Sequence, residues 1–136
     1  MTEIKRKQNR RITMANIAVL DDVYDAGIMV QRILQRKDHT VHPFTEEEDF
    51  LSFIKKEKTD LAILDIKLKK LSGVEVLEEA KKISPGIKVI MLTGYPTIET
   101  AQGCLQLGAD EYLVKPIDKY ELEEKVAKVL RGKSSG

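Results

Sequence analysis

Residues 61–73 read Leu61-Ala-Ile-Leu-Asp-Ile-Lys-Leu-Lys-Lys-Leu-Ser-Gly73, LAILDIKLKKLSG. Four consecutive apolar residues suit a strand buried on both faces, yet the run stops on a carboxylate, Asp65. Lysines follow, and then Ser72 with Glu75, spaced as a capping box that opens a helix. Strand, acid, loop and capped helix form one unit, and the chain repeats it. Further β-branched runs lie at Ile17–Leu20 and Ile87–Leu92, with weaker ones at Thr40–Phe44 and Glu111–Val114. Between them the apolar period becomes helical, at about 24–36, 46–56, 74–83, 97–107 and 119–131.

Local chemistry marks the joints. Thr45 with Glu48 and Asp118 with Glu121 are also spaced as capping boxes. Ser84-Pro85-Gly86 stops the third helix. Gly108 suits a left-handed cap after the fourth, which Gly103 weakens by roughly 1 kcal/mol. Five alternating strand–helix pairs predict a flavodoxin-like (βα)5 α/β fold. Its five-stranded parallel sheet is ordered 2-1-3-4-5, with helices on both faces. Ligands of such sheets sit beyond the strands' carboxyl ends.

The chain of 136 residues is long enough for one core, and 42% apolar with 33% charged residues is ordinary for a globular domain. No apolar run approaches the ~20 residues of a membrane span. There is no secretory leader pattern, and the single Cys104 excludes an internal disulfide and suits a reducing, cytoplasmic setting. Charge is uneven. Residues 1–12 carry Lys5, Arg6, Lys7, Arg10 and Arg11 against Glu3, a net of +4, and the remainder is −3. Residues 1–15 therefore read as a basic arm, residues 16–131 as the folded domain and 132–136 as a short tail. A solvated end is the simpler reading of the arm, and contact with nucleic acid or an acidic partner the alternative.

The strand ends carry the chemistry. The first strand closes on Asp21-Asp22, the third on Asp65, the fourth on Thr93-Gly94 and the fifth on Lys115-Pro116. Singly, each has a plain reading: Asp22 as a helix-dipole acid, Asp65 as a cap, Thr93 as a turn hydroxyl, Lys115 as a surface charge. Together they place three carboxylates, a hydroxyl and an ammonium at one rim. Each pair of carboxylates ~4 Å apart costs about 4 kcal/mol at an effective dielectric near 20. Lys115 offsets part of this, and an oxygen-preferring divalent cation such as Mg²⁺ the rest. A metal with a lysine suits phosphoryl transfer, and a carboxylate can accept the group as an acyl phosphate. His39 and His42 flank the second strand, away from this rim.

In order and spacing, IAVLDD, LAILDIKLKKLSG, VIMLTGYPTIETA and GADEYLVKP resemble the receiver domain of two-component response regulators, over about residues 16–131. TGYPTIETA and GADEYLVKP are nearest in flavour to the nitrogen-regulator type. The resemblance implies that Asp65 takes a phosphoryl group from a histidine kinase or phosphotransfer protein. It implies that Asp22, Asp65 and the backbone carbonyl of Lys67 ligate Mg²⁺, with Asp21 acting through water. Thr93 and Lys115 would contact phosphoryl oxygens, and a cis Lys115–Pro116 bond is implied. Tyr112 falls at the switch position, where an aromatic ring turns inward and repacks the surface of the fourth helix, fifth strand and fifth helix. That surface would meet a downstream target, with a second copy of the chain as a further candidate partner. Such a protein is a signalling switch and not a conventional enzyme.

The chain departs from the pattern at Lys69, where many relatives have Pro, so Lys69-Lys70 makes the loop basic. Lys67 and Tyr95 stand where the family tunes loss of the phosphoryl group. One rival reading, a haloacid-dehalogenase-type phosphatase, needs a second Asp where Lys67 stands. The other is a receiver-like binding module that works without phosphorylation. With no output domain after residue 131, the chain reads as a stand-alone receiver or one excised from a longer regulator.

Overall fold

The computed structural model describes residues 14–68 and 72–132. The basic residues 5–11, the Lys69-Lys70 departure and the tail from 133 lie outside the described residues. Five strands alternate with five helices: β1 (Asn16–Leu20), α1 (Tyr24–Gln35), β2 (Thr40–Phe44), α2 (Glu47–Lys56), β3 (Leu61–Asp65), α3 (Gly73–Ile83), β4 (Lys88–Thr93), α4 (Ile98–Gln106), β5 (Glu111–Val114) and α5 (Lys119–Leu130). All strand pairs are parallel and the order is β2-β1-β3-β4-β5, as the alternation predicts.

Strand periodicity divides the core in two. Ala18, Leu20, Ala62, Leu64, Val89 and Met91 face α2, α3 and α4, where Phe50, Leu77 and Cys104 complete one cluster. Their neighbours Ile17, Val19, Leu61, Ile63, Ile90 and Leu92 face α1 and α5, against Leu34, Leu122 and Val126. Every residue of β3 is buried, which accounts for its unbroken apolar run. Cys104 is a core side chain, and burial pushes its thiol up.

Several boundaries differ from the sequence reading by one residue. Asp65 and Thr93 are the last residues of their strands, held in register against Leu92 and Val114. The box at Ser72 forms in full: its hydroxyl accepts from the Glu75 N–H, and Glu75 accepts from the Ser72 N–H. At α2 the N-cap is Glu46 and not Thr45, with no side-chain cap bond from Glu46. Glu47, Glu48 and Asp49 in the first turn instead complement the helix dipole. Asp118 caps α5 through the Tyr120 N–H, not through a reciprocal pair with Glu121. Gly108 has φ +105°, the left-handed geometry expected of it.

His39 lies at the far end of the sheet from the acids, at the turn into β2, only 7% exposed, and its Nδ1 has no hydrogen-bond partner among the described residues. Burial holds its imidazole below the ordinary 6.5, against the opposing charge of Asp38. The unfolded chain therefore takes up a proton that the folded chain resists, and stability falls as pH drops through about 6.5. Urea midpoints should show this as a pH-dependent difference between wild type and His39→Gln, growing from about pH 7.5 to 5.5. A difference that stays flat would contradict it.

Candidate functional site

The parallel register delivers the predicted side chains to one rim. Asp21 follows β1 directly, and its N–H donates to the Phe44 carbonyl at 3.0 Å, continuing the β1–β2 ladder. The Ile66 N–H donates to Leu92 at 2.9 Å and the Lys115 N–H to Thr93 at 2.7 Å. Each functional residue thus stands on or next to a fixed backbone hydrogen bond. Carboxylate oxygens of Asp21, Asp22 and Asp65 lie within 4.8 Å of one another. Asp21, Asp65 and Thr93 are buried at 2%, 6% and 3% exposure, so their charges and hydroxyl meet little water.

Lys115 crosses the rim to these acids. Its ammonium lies 2.9 Å from Asp21 Oδ2 and 3.1 Å from Asp65 Oδ2. Burial alone would lower this lysine; hydrogen bonds and charge from Asp21 and then Asp65 outweigh it and carry its pKa up. Asp65 moves the other way for an acid. Burial and the Asp21 charge hold its pKa above the ordinary value, although Lys115 and the Lys67 N–H pull down. At Asp65 its own burial is the largest effect and one shared ammonium does not offset it, whereas at Lys115 two carboxylates outweigh burial. Three acids and one ammonium leave the cluster short of positive charge. An all-oxygen donor set with that deficit fits a hard divalent cation.

Loop backbone completes the arrangement. The Lys67 N–H donates to Asp65 Oδ1 at 3.2 Å, the Val23 N–H to Asp21 Oδ1 at 2.9 Å, and the Tyr95 N–H to Thr93 Oγ1 at 3.0 Å. Tyr112 packs against the cluster that contains Cys104, with its hydroxyl buried beside the Thr97 backbone. Burial raises that phenol. The Lys115–Pro116 bond is cis.

One residue escaped the sequence reading. The Gly73 N–H donates to the Ile66 carbonyl at 2.6 Å, and a Cβ at Gly73 would fall on the Asp65 carbonyl oxygen and 2.6 Å from Ile66 Cα. The start of α3 therefore rests on the backbone of the central acid, and only glycine permits that approach. The signal for Gly73 was its place beside the Ser72 cap.

The model of the response regulator receiver domain matches residues 17–127. This chain belongs to the response regulator receiver domain family. It is 30% identical over 119 residues to sporulation initiation phosphotransferase F of Bacillus subtilis, covering 88% of this chain and 96% of that protein. To the transcriptional regulatory protein ZraR of Salmonella typhimurium it is 30% identical over 115 residues, 85% of this chain but 26% of that protein. Among solved structures, a CheY-like receiver domain protein from Methanospirillum hungatei superposes with TM-score 0.84 at 34% identity, covering 90% and 98% of the two chains. A Burkholderia pseudomallei response regulator with a phosphorylated aspartic acid, calcium ion and citrate gives 0.78 at 27% identity, covering 89% and 69%. The receiver is a two-component signalling switch, not a conventional enzyme. Its acidic triad is consistent with a divalent-metal site. Receiver domains work with histidine kinases and phosphotransfer proteins. No helix of the described residues is long and apolar enough to cross a membrane.

Two substitutions probe the receiver's rim. Gly73→Ala should cost on the order of 1–3 kcal/mol in urea unfolding, because α3 must shift off the Asp65 carbonyl. In metal-free buffer Asp65→Asn should melt above wild type, by ~2–8 °C for about 1 kcal/mol, since it removes a buried like charge. A lower melting temperature would show that the ion pair to Lys115 outweighs that repulsion.

Proposed function

We propose that Asp65 is the phosphoryl acceptor of this receiver. One observation carries the reading. Asp65 is buried at a strand end with one oxygen on the Lys115 ammonium and the other on a backbone N–H, among the carboxylates of Asp21 and Asp22. The donor is a phosphohistidine of a histidine kinase or phosphotransfer protein. An Asp65 carboxylate oxygen attacks phosphorus, the P–N bond breaks, and the imidazole leaves with the electron pair and takes a proton. Asp22, Asp65 and the Lys67 carbonyl would hold Mg²⁺, with Asp21 acting through water. When bound, the cation supplies charge neutralisation at the transferring oxygens. The aspartyl phosphate with a calcium ion in the Burkholderia relative supports both assignments.

Transfer adds about −1.5 to −2 charge and three acceptor oxygens. Lys115 already faces Asp65 and meets one oxygen, while the Thr93 hydroxyl, whose oxygen accepts from the Tyr95 N–H, donates its own proton to another. Moving the Thr93 loop changes the packing around Tyr112, whose ring reaches the α4 cluster. The output is the α4-β5-α5 face, where Ile98, Leu105, Leu107 and Val114 stand exposed for a target. On the same face Glu111 is tied to Lys125 at 3.0 Å and Lys128 at 2.8 Å, which fixes α5 against β5. The receiver unit is residues 16–131, and the single reduced thiol supports a cytoplasmic setting.

Intact-protein mass spectrometry after incubation with acetyl phosphate and Mg²⁺ tests the assignment. Wild type should gain one phosphoryl group, lost on acid-labile hydrolysis, and Asp65→Asn should gain none. No gain on wild type, or an equal gain on Asp65→Asn, favours the receiver-like module that works without phosphorylation. Mg²⁺ should also raise the melting temperature of wild type, and by much less in Asp65→Asn or Asp22→Asn.

A further inference from the structure

Charge is segregated along the strand axis. Because the strands are parallel, the helices run back the other way, and their carboxyl ends stand beyond the strands' amino ends, opposite the acid rim. Each of the five helices carries an acid in its first turn, and four carry a base in the last. Helix dipoles account for those bases. They do not account for Lys37, Lys58 and Lys88, which lie past the helix ends at the same pole. Two of the acids in these loops are turned inward: Asp60 Oδ2 accepts from the Asn16 N–H at 2.8 Å, and Asp110 Oδ2 from the Val89 N–H at 2.9 Å. Asp38 and Glu57 are the exposed ones. The chain that precedes Met14 joins the fold here, since Met14 and Ala15 line a groove of about 460 Å³ with Lys58, Lys88 and Asp60. By sequence it brings KRKQNRR, residues 5–11, with five cations.

The partner that fits such a pole is a dense, extended array of anions. We propose that this pole and the basic arm form a docking surface for the phosphate backbone of double-stranded DNA, which carries one negative charge per ~1.7 Å of axis. The composition of the surface selects the duplex. Single strands are held by stacking on aromatic rings. The exposed tyrosines among the described residues, Tyr24, Tyr95 and Tyr120, all stand at the opposite, acid end, and residues 1–13 contain no aromatic side chain. An anionic membrane surface holds helices that set a basic face against an apolar one, but nothing between Lys5 and Arg11 is apolar. Arg and Lys, with Gln8 and Asn9 between them, are residue types that bond phosphate and sugar oxygens. Contacts of that kind position a protein on a duplex without reading its bases. The pole lies across the sheet from Asp65, so the inference stands apart from the acceptor assignment.

Fluorescence anisotropy of a labelled duplex of ~20 base pairs, titrated with the full-length chain between about 50 and 200 mM NaCl, tests this. The logarithm of the binding constant should fall on the logarithm of salt with a slope of about −4 to −7, near −0.9 for each phosphate met. Changing Lys5, Arg6, Lys7, Arg10 and Arg11 together to Gln should cut the magnitude of that slope by about 3 or more. At low salt Lys58→Glu should weaken binding about three- to tenfold. Lys119→Glu makes the same charge change at the acid end of α5, and it should bind as wild type does. Melting curves matching wild type show that both variants keep the fold. No binding at low salt, an arm variant that binds like wild type, or an equal loss in Lys58→Glu and Lys119→Glu overturns the inference. So does binding as tight or tighter to single-stranded DNA of equal length, or to phosphatidylserine vesicles at matched phosphate.

Discussion

The ammonium of Lys115, shared between Asp21 and Asp65, is the contact on which the rim depends. It joins side chains 94 and 50 residues apart in sequence and ties the loop after β5 to the ends of β1 and β3. Without it, Asp21 and Asp65 would face each other buried and uncompensated, a costly state for two charges. The sheet makes the contact possible. Because every strand is parallel, all five carboxyl ends open on one edge, and the backbone bonds at Asp21, Ile66 and Lys115 fix their heights. Packing of the two apolar faces holds the edge rigid, and electrostatics at the edge then remains unbalanced by design of the fold.

That imbalance separates the site from a structural ion pair. A settled pair lowers its acid and raises its base, whereas here burial and a neighbouring carboxylate keep Asp65 raised while Lys115 is raised too. Perturbed groups of this kind cluster at functional sites. The rim is therefore poised for added positive charge, and its free energy is sensitive to any change in charge on Asp65. Thr93 holds the Tyr95 turn, and Tyr112 packs against the cluster that contains Cys104 of α4.

Much of this was legible in the sequence, for physical reasons. Ile17–Leu20 of β1 and Leu61–Leu64 of β3 are buried and had to be apolar, so the acids that follow them stood out, and four strand ends agreed on one chemistry. Helix starts were legible where a short side chain caps its own turn, as at Ser72. Thr45 misled because α2 opens through a run of acids along the dipole, an effect without a fixed spacing. Beyond its place beside the Ser72 cap, Gly73 gave no sign of its role, which is the absence of an atom beside a residue eight positions away. The contact of the Lys67 ammonium with the Tyr95 ring was equally hidden, since only the crossing of two loops brings residues 28 apart together.

The division of the core has a consequence for how a signal spreads. Alternate side chains of the same strands feed two separate clusters, one under α1 and α5 and one under α2, α3 and α4. Tyr112 belongs to the second and Leu113, next to it, to the first. Close-packed interiors transmit strain. Adjacent residues of β5 therefore couple the two compartments: a shift at Tyr112 would press on α4 directly and, through Leu113, on α5, so both flanks of the strand would feel one event.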